Sequence, residues 1–234
     1  MQTKRYVICT HPRSGSNYFC ELLKSTRKLG YPDEYFHTMN LKRAGLNPDS
    51  ATDLARQYRH LIDQTSTDNG VVGLKLFYFD IHRLEKAEIL DGLSNFTHFW
   101  LLRKDKVAQA ISIRRALNTG QLTSDHPASN VLVDYDYQDI RLRLLRVIQA
   151  EKNWAIFFES RGIKPIYVFY EELAADPQYI IDKVTDALGM SDATFIDTSA
   201  LRLKVQRDAV NQEWHARFIK EARQSDPRLI NDFV

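Results

Sequence analysis

The 234-residue chain has only two cysteines, Cys9 and Cys20, and both lie within its first 20 residues. Two thiols are too few for a zinc cage or a disulfide framework, so we expect both to be reduced and packed as small apolar side chains. Neither positive nor negative side chains are in large excess, because 32 Lys and Arg residues nearly balance 30 Asp and Glu residues, for a net charge of +2. This balance gives no bulk-charge argument for a nucleic-acid partner, and we expect none.

Long apolar runs are absent as well. No stretch reaches 18 consecutive apolar residues, which excludes a membrane-spanning helix. The apolar part of the first ten residues is only Tyr6–Cys9, too short for the core of a signal peptide. No repeat, low-complexity tract or Gly/Ser-rich linker divides the chain. We therefore expect a single domain, residues 1–234, located in the cytoplasm.

What the chain does contain is an alternation of apolar runs and helical patterns, which is typical of β-α-β units around a parallel sheet. The predicted strands cover residues 5–10, 71–77, 96–102 and 164–170. The predicted helices cover residues 17–28, 49–64, 80–90, 105–118, 138–161, 178–188 and 211–223. Residues 119–138 are predicted to be a loop or lid. The expected fold class is α/β with a parallel sheet.

The most informative segment is Pro12–Asn17, which joins the first strand to the first helix. Backbone amides in such a turn and at the helix N-terminus converge on one point, and together they bind anions. Gly15 allows a ligand to approach the backbone closely. A capped turn with a surface arginine is the alternative interpretation. The loop is not a Walker A motif, because GxxxxGK[ST] does not occur in the chain. The polar side chains of the loop are Arg13, Ser14, Ser16 and Asn17.

A second candidate pair follows the strand at 96–102. Arg103 lies where that strand ends, at the carboxyl edge where α/β sheets bind ligands. Ser112 follows nine residues later, one or two turns into the next helix. A helix that returns over the sheet can bring this hydroxyl and Arg103 around one phosphate. A surface arginine and an ordinary helix serine are the alternative.

Two further segments carry charge among apolar residues. Lys75 is the only charged residue in the run Val71–Phe79, so its ammonium must either reach water or meet an anion. The segment Tyr31–Phe36 holds Asp33 and Glu34 beside aromatic residues. Its composition suits an exposed turn, but a carboxylate among rings can also act as a base toward a hydroxyl compound.

Taken in order, these segments resemble the PAPS-dependent sulfotransferases, and within them the bacterial trehalose 2-sulfotransferase family. The resemblance spreads over most of the chain. It rests on PRSGSN, YPDEYF, GLK, LLRKDKVAQAISIRRALNTG, YEEL with the following Asp176-Pro177, and QRDAVNQEW. The resemblance implies a three-layer fold of P-loop type, with a central parallel sheet flanked by helices. It also implies transfer of a sulfuryl group from PAPS (3′-phosphoadenosine 5′-phosphosulfate) to a hydroxyl of a small acceptor, a carbohydrate or another hydroxylated metabolite.

The resemblance also implies roles for individual residues. Glu34 is expected to be the general base, with Arg13 and Lys75 facing the charge of the leaving group. The donor is expected to contact Arg13, Ser14, Gly15, Ser16 and Asn17 at its 5′-phosphosulfate, Arg103 and Ser112 at its 3′-phosphate, and Gln206 and Arg207 in a closing carboxy-terminal motif. No metal is expected, and a homodimer is the assembly that the resemblance suggests.

Two features depart from the cytosolic steroid and phenol sulfotransferases. Those enzymes have lysine in the first loop, where this chain has Arg13, and their histidine base has no clear counterpart here, so Glu34 would replace it. Two other functions fit the same fold: an ATP-dependent phosphotransferase, and a nucleotide-binding protein without catalysis. A phosphotransferase would need a magnesium site and a P-loop lysine, and the sequence shows neither pattern.

Overall fold

One parallel sheet organises the protein. The structure is a computed structural model that describes residues 4–119, 133–191, 194–201 and 209–229. The sheet has the order β2-β1-β3-β4. Its strands are β1 (Lys4–Thr10), β2 (Val71–Phe77), β3 (Thr97–Leu102) and β4 (Ile166–Phe169). All pairings are parallel, and Cys9 aligns with both Leu76 and Trp100. The carboxyl ends of the strands therefore share one edge.

Helices connect the strands and cover both faces of the sheet. They are α1 (Ser16–Ser25), α2 (Thr38–Arg43), α3 (Ala51–Gln64), α4 (Tyr78–Lys86), α5 (Leu90–Leu93), α6 (Lys106–Thr119), α7 (Tyr137–Ser160), α8 (Tyr170–Ala175), α9 (Pro177–Ala187) and α10 (Ala209–Ser225), with a short 3-10 helix at Thr198–Ala200. No helix within the described ranges is both long enough and apolar enough to cross a membrane.

The alternation of side chains along β1 separates two hydrophobic cores. Tyr6 and Ile8 pack on one face of the sheet in a cluster with apolar residues of α1 and α9. Val7 and Cys9 point to the other face, where the cluster includes residues of α3, α4 and α7. Both cysteines are free and buried, as expected. This arrangement confirms the predicted α/β fold, in which helices flank a central parallel sheet.

A third cluster attaches the C-terminal helix to α6 and α7. It contains Ile111 of α6, Leu144 of α7, and Trp214 and Phe218 of α10. Nearby, Arg114 of α6 donates a hydrogen bond of 2.6 Å to Asp139 of α7. Because α6 carries Ser112, this packing fixes where that hydroxyl lies relative to the sheet.

The predicted elements differ from the observed ones mainly at short helices. Helices α2 and α8 were not predicted, and the helix expected over 80–90 is two pieces, α4 and α5. Asp105 does cap α6 as predicted, since its Oδ1 accepts a hydrogen bond of 2.8 Å from the amide of Ala108. The predicted lid at 119–138 lies largely outside the described residues, because the structure describes the chain again only from residue 133.

Candidate active site

The loop between β1 and α1 adopts the strained conformation that an anion-binding turn requires. Arg13 and Gly15 both have positive φ angles, of 64° and 89°. Two side chains from outside the loop hold its carbonyl groups: Gln109 Nε2 donates to Pro12 O at 2.9 Å, and Arg103 Nη1 donates to Arg13 O at 3.4 Å. With these carbonyls occupied by α6 and the end of β3, the amides at the start of α1 form a site suited to an anion.

Not every hydroxyl in this loop faces a ligand. Ser14 is 1% exposed, and its Oγ lies 2.7 Å from Oγ1 of Thr10 at the end of β1. The Ser14 hydroxyl, which was predicted to donate to a ligand, is therefore engaged with Thr10 in this structure. Ser16 is also buried. The sequence could not show this, because it depends on how the loop sits against Thr10.

The structure brings Arg13, Arg103 and Ser112 together. Arg13 Nε donates a hydrogen bond of 2.9 Å to Ser112 Oγ, across 99 residues of sequence. Burial and the neighbouring guanidinium of Arg103 lower the pKa of Arg13. Two guanidinium groups at such close range repel each other, and an anion bound between them would relieve this repulsion. Arg103 Nε is buried and has no hydrogen-bond partner among the described residues, which fits a site for phosphate.

Tyr170 is a part of this site to which the sequence analysis gave no role. Its ring lies under the Arg103 guanidinium, 5.0 Å from the ring centroid. The same ring also packs on Gly15, where an added Cβ would lie 2.2 Å from Tyr170 Cδ2. One side chain from the start of α8 thus touches both the loop and the arginine after β3. The YEEL motif in the sequence includes Tyr170, but the position of this ring next to the loop depends on the order of the strands in the sheet.

A second part of the site centres on Lys75. Its side chain is 2% exposed, and its ammonium lies 2.7 Å from Glu34 Oε1 and donates a hydrogen bond of 2.5 Å to Asn17 Oδ1. Of the two alternatives for Lys75, the structure therefore shows an anion partner rather than a path to water. The Lys75 amide also donates to Asp33 O at 3.0 Å, which holds the segment before α2 along β2. A buried cation thus joins the loop to the candidate base.

The adjacent carboxylates have different surroundings. Asp33 is 53% exposed on its side chain and pairs with Lys24 at 2.8 Å. Burial raises the pKa of Asp33, but the Lys24 ammonium and the amide of Glu34 outweigh this and lower it overall. Glu34, at 22% exposure, is paired with Lys75 instead. The two residues therefore provide a matched pair for a test of the base.

The remaining predicted positions, Gln206 and Arg207, lie outside the described residues. Helix α10, which follows them, reaches the start of α6: His215 Nε2 lies 3.2 Å from Asp105 Oδ1. In the described part of the chain, no group of three or more His, Cys, Asp or Glu residues could hold a metal ion.

A central parallel sheet flanked by helices, with a loop suited to an anion after its first strand, agrees with the predicted P-loop-type α/β class. The chain belongs to the Stf0 sulphotransferase family, whose sequence profile matches residues 5–221. It is thus a sulfotransferase, and family membership favours this function over the phosphotransferase and the non-catalytic alternatives.

Relatives agree with this assignment. A Mycobacterium tuberculosis protein named trehalose 2-sulfotransferase is 27% identical over 267 aligned positions, which cover 96% of each chain. A Mycolicibacterium smegmatis protein of the same name is 24% identical and covers 93% of this chain and 95% of its own. Among solved structures, the sulfotransferase domain from the curacin biosynthetic pathway has a TM-score of 0.50 at 14% identity, covering 93% of this chain and 98% of that one. That likeness concerns the fold alone.

Proposed function

We propose that this sulfotransferase takes its sulfuryl group from PAPS and transfers it to a hydroxyl of a carbohydrate, with Glu34 as the general base. The two mycobacterial relatives are named for trehalose, which makes trehalose or a related sugar the first acceptor to test. The homodimer, the cytoplasmic location and the roles of Gln206 and Arg207 stay predictions.

The observation that carries the proposal is the connection Glu34–Lys75–Asn17. Lys75 lies 2.7 Å from the carboxylate of Glu34 and 2.5 Å from the amide oxygen of Asn17, at the end of the anion-binding loop. A base and an anion site that share one buried ammonium are suited to moving an anionic group onto a hydroxyl. Glu34 is partly exposed, so an acceptor can approach it from solvent.

The donor would occupy the cationic side of the site. Arg103, whose Nε has no hydrogen-bond partner in the described part of the chain, and Ser112, already bonded to Arg13, would hold the 3′-phosphate. The amides of the loop and the side chain of Arg13 would hold the 5′-phosphosulfate. PAPS supplies a sulfuryl group that is bonded to an oxygen of the 5′-phosphate.

The residues then divide the chemistry between them. Glu34 accepts the proton of the acceptor hydroxyl while the oxygen of that hydroxyl forms a bond to sulfur. At the same time, the bond from sulfur to the 5′-phosphate oxygen breaks. Arg13 and Lys75 stabilise the charge that gathers on that oxygen. As in phosphoryl transfer, in-line positioning and charge stabilisation account for most of the acceleration. Because these cations are side chains, we expect activity to persist in EDTA.

The test is an assay with labelled PAPS and trehalose, followed by mass spectrometry for the sulfonated sugar. Glu34→Gln keeps the size of the side chain but cannot accept a proton, so turnover should fall by about 10²–10⁴. PAPS binding should change little. Asp33→Asn is the matched control and should have a mild effect, because Asp33 pairs with Lys24. Near-normal turnover by Glu34→Gln, or an inactive Asp33→Asn, would show that the base is misassigned.

A further inference from the structure

Three rings form a wall beside the Glu34–Lys75 pair. Phe77 and Phe79 are stacked, with centroids 5.1 Å apart, and His37 meets both edge-on at 6.3 and 6.0 Å. Phe77 is buried, whereas Phe79 is 51% exposed. We call His37, Phe77 and Phe79 the aromatic wall. One ring of this wall is thus open to solvent while the other two support it.

The aromatic wall lies beside the candidate base, Glu34, and the ammonium of Lys75. The Lys75 ammonium lies 5.6 Å from the centroid of Phe77 and 2.7 Å from Glu34. On the other side, the amide of His37 donates to Glu34 O at 3.0 Å, so His37 and the candidate base share one turn. The aromatic wall therefore adjoins the Glu34–Lys75 pair through Phe77 and His37, and Phe79 is its solvent-exposed ring.

The wall is held rigidly on two elements. Phe79 lies in the first turn of α4, directly after β2. His37 caps α2, where its side chain accepts from the amide of Met39. Arg83 of α4 ties the two helices together, because it donates to Thr38 Oγ1 and, at 3.2 Å, to Phe36 O. A rigid, partly exposed aromatic surface is suited to ligand recognition, since it loses little conformational freedom on binding.

We infer that the aromatic wall is the specificity surface for the acceptor and that it stacks on the apolar C–H face of a pyranose ring. This inference rests on the proposed function and names the residues that recognise the acceptor at the same site. A pyranose has a flat face of C–H groups that can cover Phe79, and its equatorial hydroxyls can extend sideways to Glu34. A long-chain alcohol would need a deep apolar channel instead of one open ring.

The test compares acceptors and variants in one assay. Trehalose, methyl glucoside, 4-nitrophenol and 1-octanol are offered with PAPS to the wild type, Phe79→Ala, Phe79→Trp and Phe195→Ala. Phe195, 72% exposed in the segment before the 3-10 helix, is a matched control away from the wall. Phe79→Ala should raise the KM for the sugar by about 3–10-fold with little change in kcat, because stacking acts equally on the ground state and the transition state. Phe79→Trp should restore KM, and Phe195→Ala should leave it unchanged.

Each other outcome is decisive. If the wild type sulfates sugars but Phe79→Ala has the KM of Phe195→Ala, the wall is not the acceptor surface and the proposed function stands. If 4-nitrophenol or 1-octanol is the better substrate by kcat/KM, the pyranose assignment is wrong. If no hydroxyl compound is sulfated, the proposed function fails and this inference fails with it.

Discussion

A single missing side chain, at Gly15, permits the contact between the β1–α1 loop and Tyr170. The φ angle of Gly15 is +89°, a region that other residues rarely adopt. An added Cβ would lie 2.2 Å from a carbon of the Tyr170 ring, whose other contact is Arg103. We expect Gly15→Ala to abolish binding of adenosine 3′,5′-bisphosphate, measured by calorimetry, because the loop or the ring must move.

Gly45→Ala is the matched control for this substitution. Its φ angle is similar, +71°, but nothing lies within 4 Å of an added Cβ. Both variants should lose stability from backbone strain, by about 1 kcal/mol or more. Only Gly15→Ala should lose the ligand. If Gly45→Ala loses it equally, general destabilisation rather than the contact with Tyr170 is the cause.

At this scale the sequence predicted residue types better than contacts. Arg13, Arg103 and Ser112 were identified because each follows a strand or lies on the next helix, and the carboxyl ends of parallel strands share an edge. The hydrogen bond from Arg13 to Ser112 was not predictable, since it depends on how α6 returns over the loop. Lys75 was identifiable as a charge in an apolar run, but its partner Glu34 lies 41 positions earlier in the chain, on a segment without periodic structure.

Among elements, the contact between α6 and α10 includes one titratable pair. Asp105 caps α6, and its Oδ1 also lies 3.2 Å from His215 Nε2 of α10. The hydrogen bond to Asp105 raises the pKa of His215 above its ordinary value of 6.5, although burial opposes this. Burial raises the pKa of Asp105, but the hydrogen bonds from His215 and the Ala108 amide outweigh this and lower it below 3.8.

The sign of the pH dependence follows from these shifts. The stabilisation from His215 is complete below about pH 6.5 and is lost as pH rises through its folded pKa. The stabilisation from Asp105 is present above about pH 3.8 and is lost as pH falls through its folded pKa. The pair therefore stabilises the protein most between these values. His215→Gln should lower the free energy of unfolding by about 0.2–1 kcal/mol at pH 5.5 and by almost nothing at pH 8.5.

Urea unfolding at the two pH values measures this difference. His60→Gln, at an exposed position on α3, is the control. Its effect on the free energy of unfolding should be the same at the two pH values. If His215→Gln costs the same at pH 5.5 and pH 8.5, the ion pair contributes nothing to the docking of α10. The helix would then be held by its other contacts, among them Trp214 and Phe218 in the apolar cluster and the hydrogen bond from Arg115 to Asn211.

The elements that the sequence missed are those with weak local signals. Helix α2 has six residues and a histidine as its N-cap, which is not among the preferred capping residues. Helix α8 begins directly after β4, with no turn residues between them to mark a boundary. The four strands were found because each is a continuous apolar run, but their order required the structure, since β1 pairs with β2 and β3 rather than only with its neighbour in sequence.

For the molecule as a whole, the proposed donor site links ligand binding to stability. A ligand that binds only the folded state at about 100 times its Kd adds roughly 2.7 kcal/mol to the free energy of unfolding. In a chain of 234 residues this corresponds to a rise in Tm of roughly 5–10 °C. Because Arg103 and Ser112 are proposed to hold the 3′-phosphate, adenosine 3′,5′-bisphosphate should give this shift, while AMP and ATP at the same concentration should give much smaller ones.

Two arginine variants distinguish specific recognition of the 3′-phosphate from a general effect of positive charge on nucleotide binding. Arg103→Ala removes the guanidinium that contacts Arg13 O and Tyr170, so the bisphosphate and AMP should then shift Tm by similar small amounts. Arg161→Ala removes a guanidinium of equal charge that pairs with Glu85 and Asp91 away from the loop, and the difference between the two ligands should survive. Thermal scans of the wild type and both variants with each nucleotide measure these shifts in Tm. Equal shifts from ATP and the bisphosphate in the wild type would overturn the assignment of Arg103 and Ser112 to the 3′-phosphate, because that phosphate would then contribute nothing to binding.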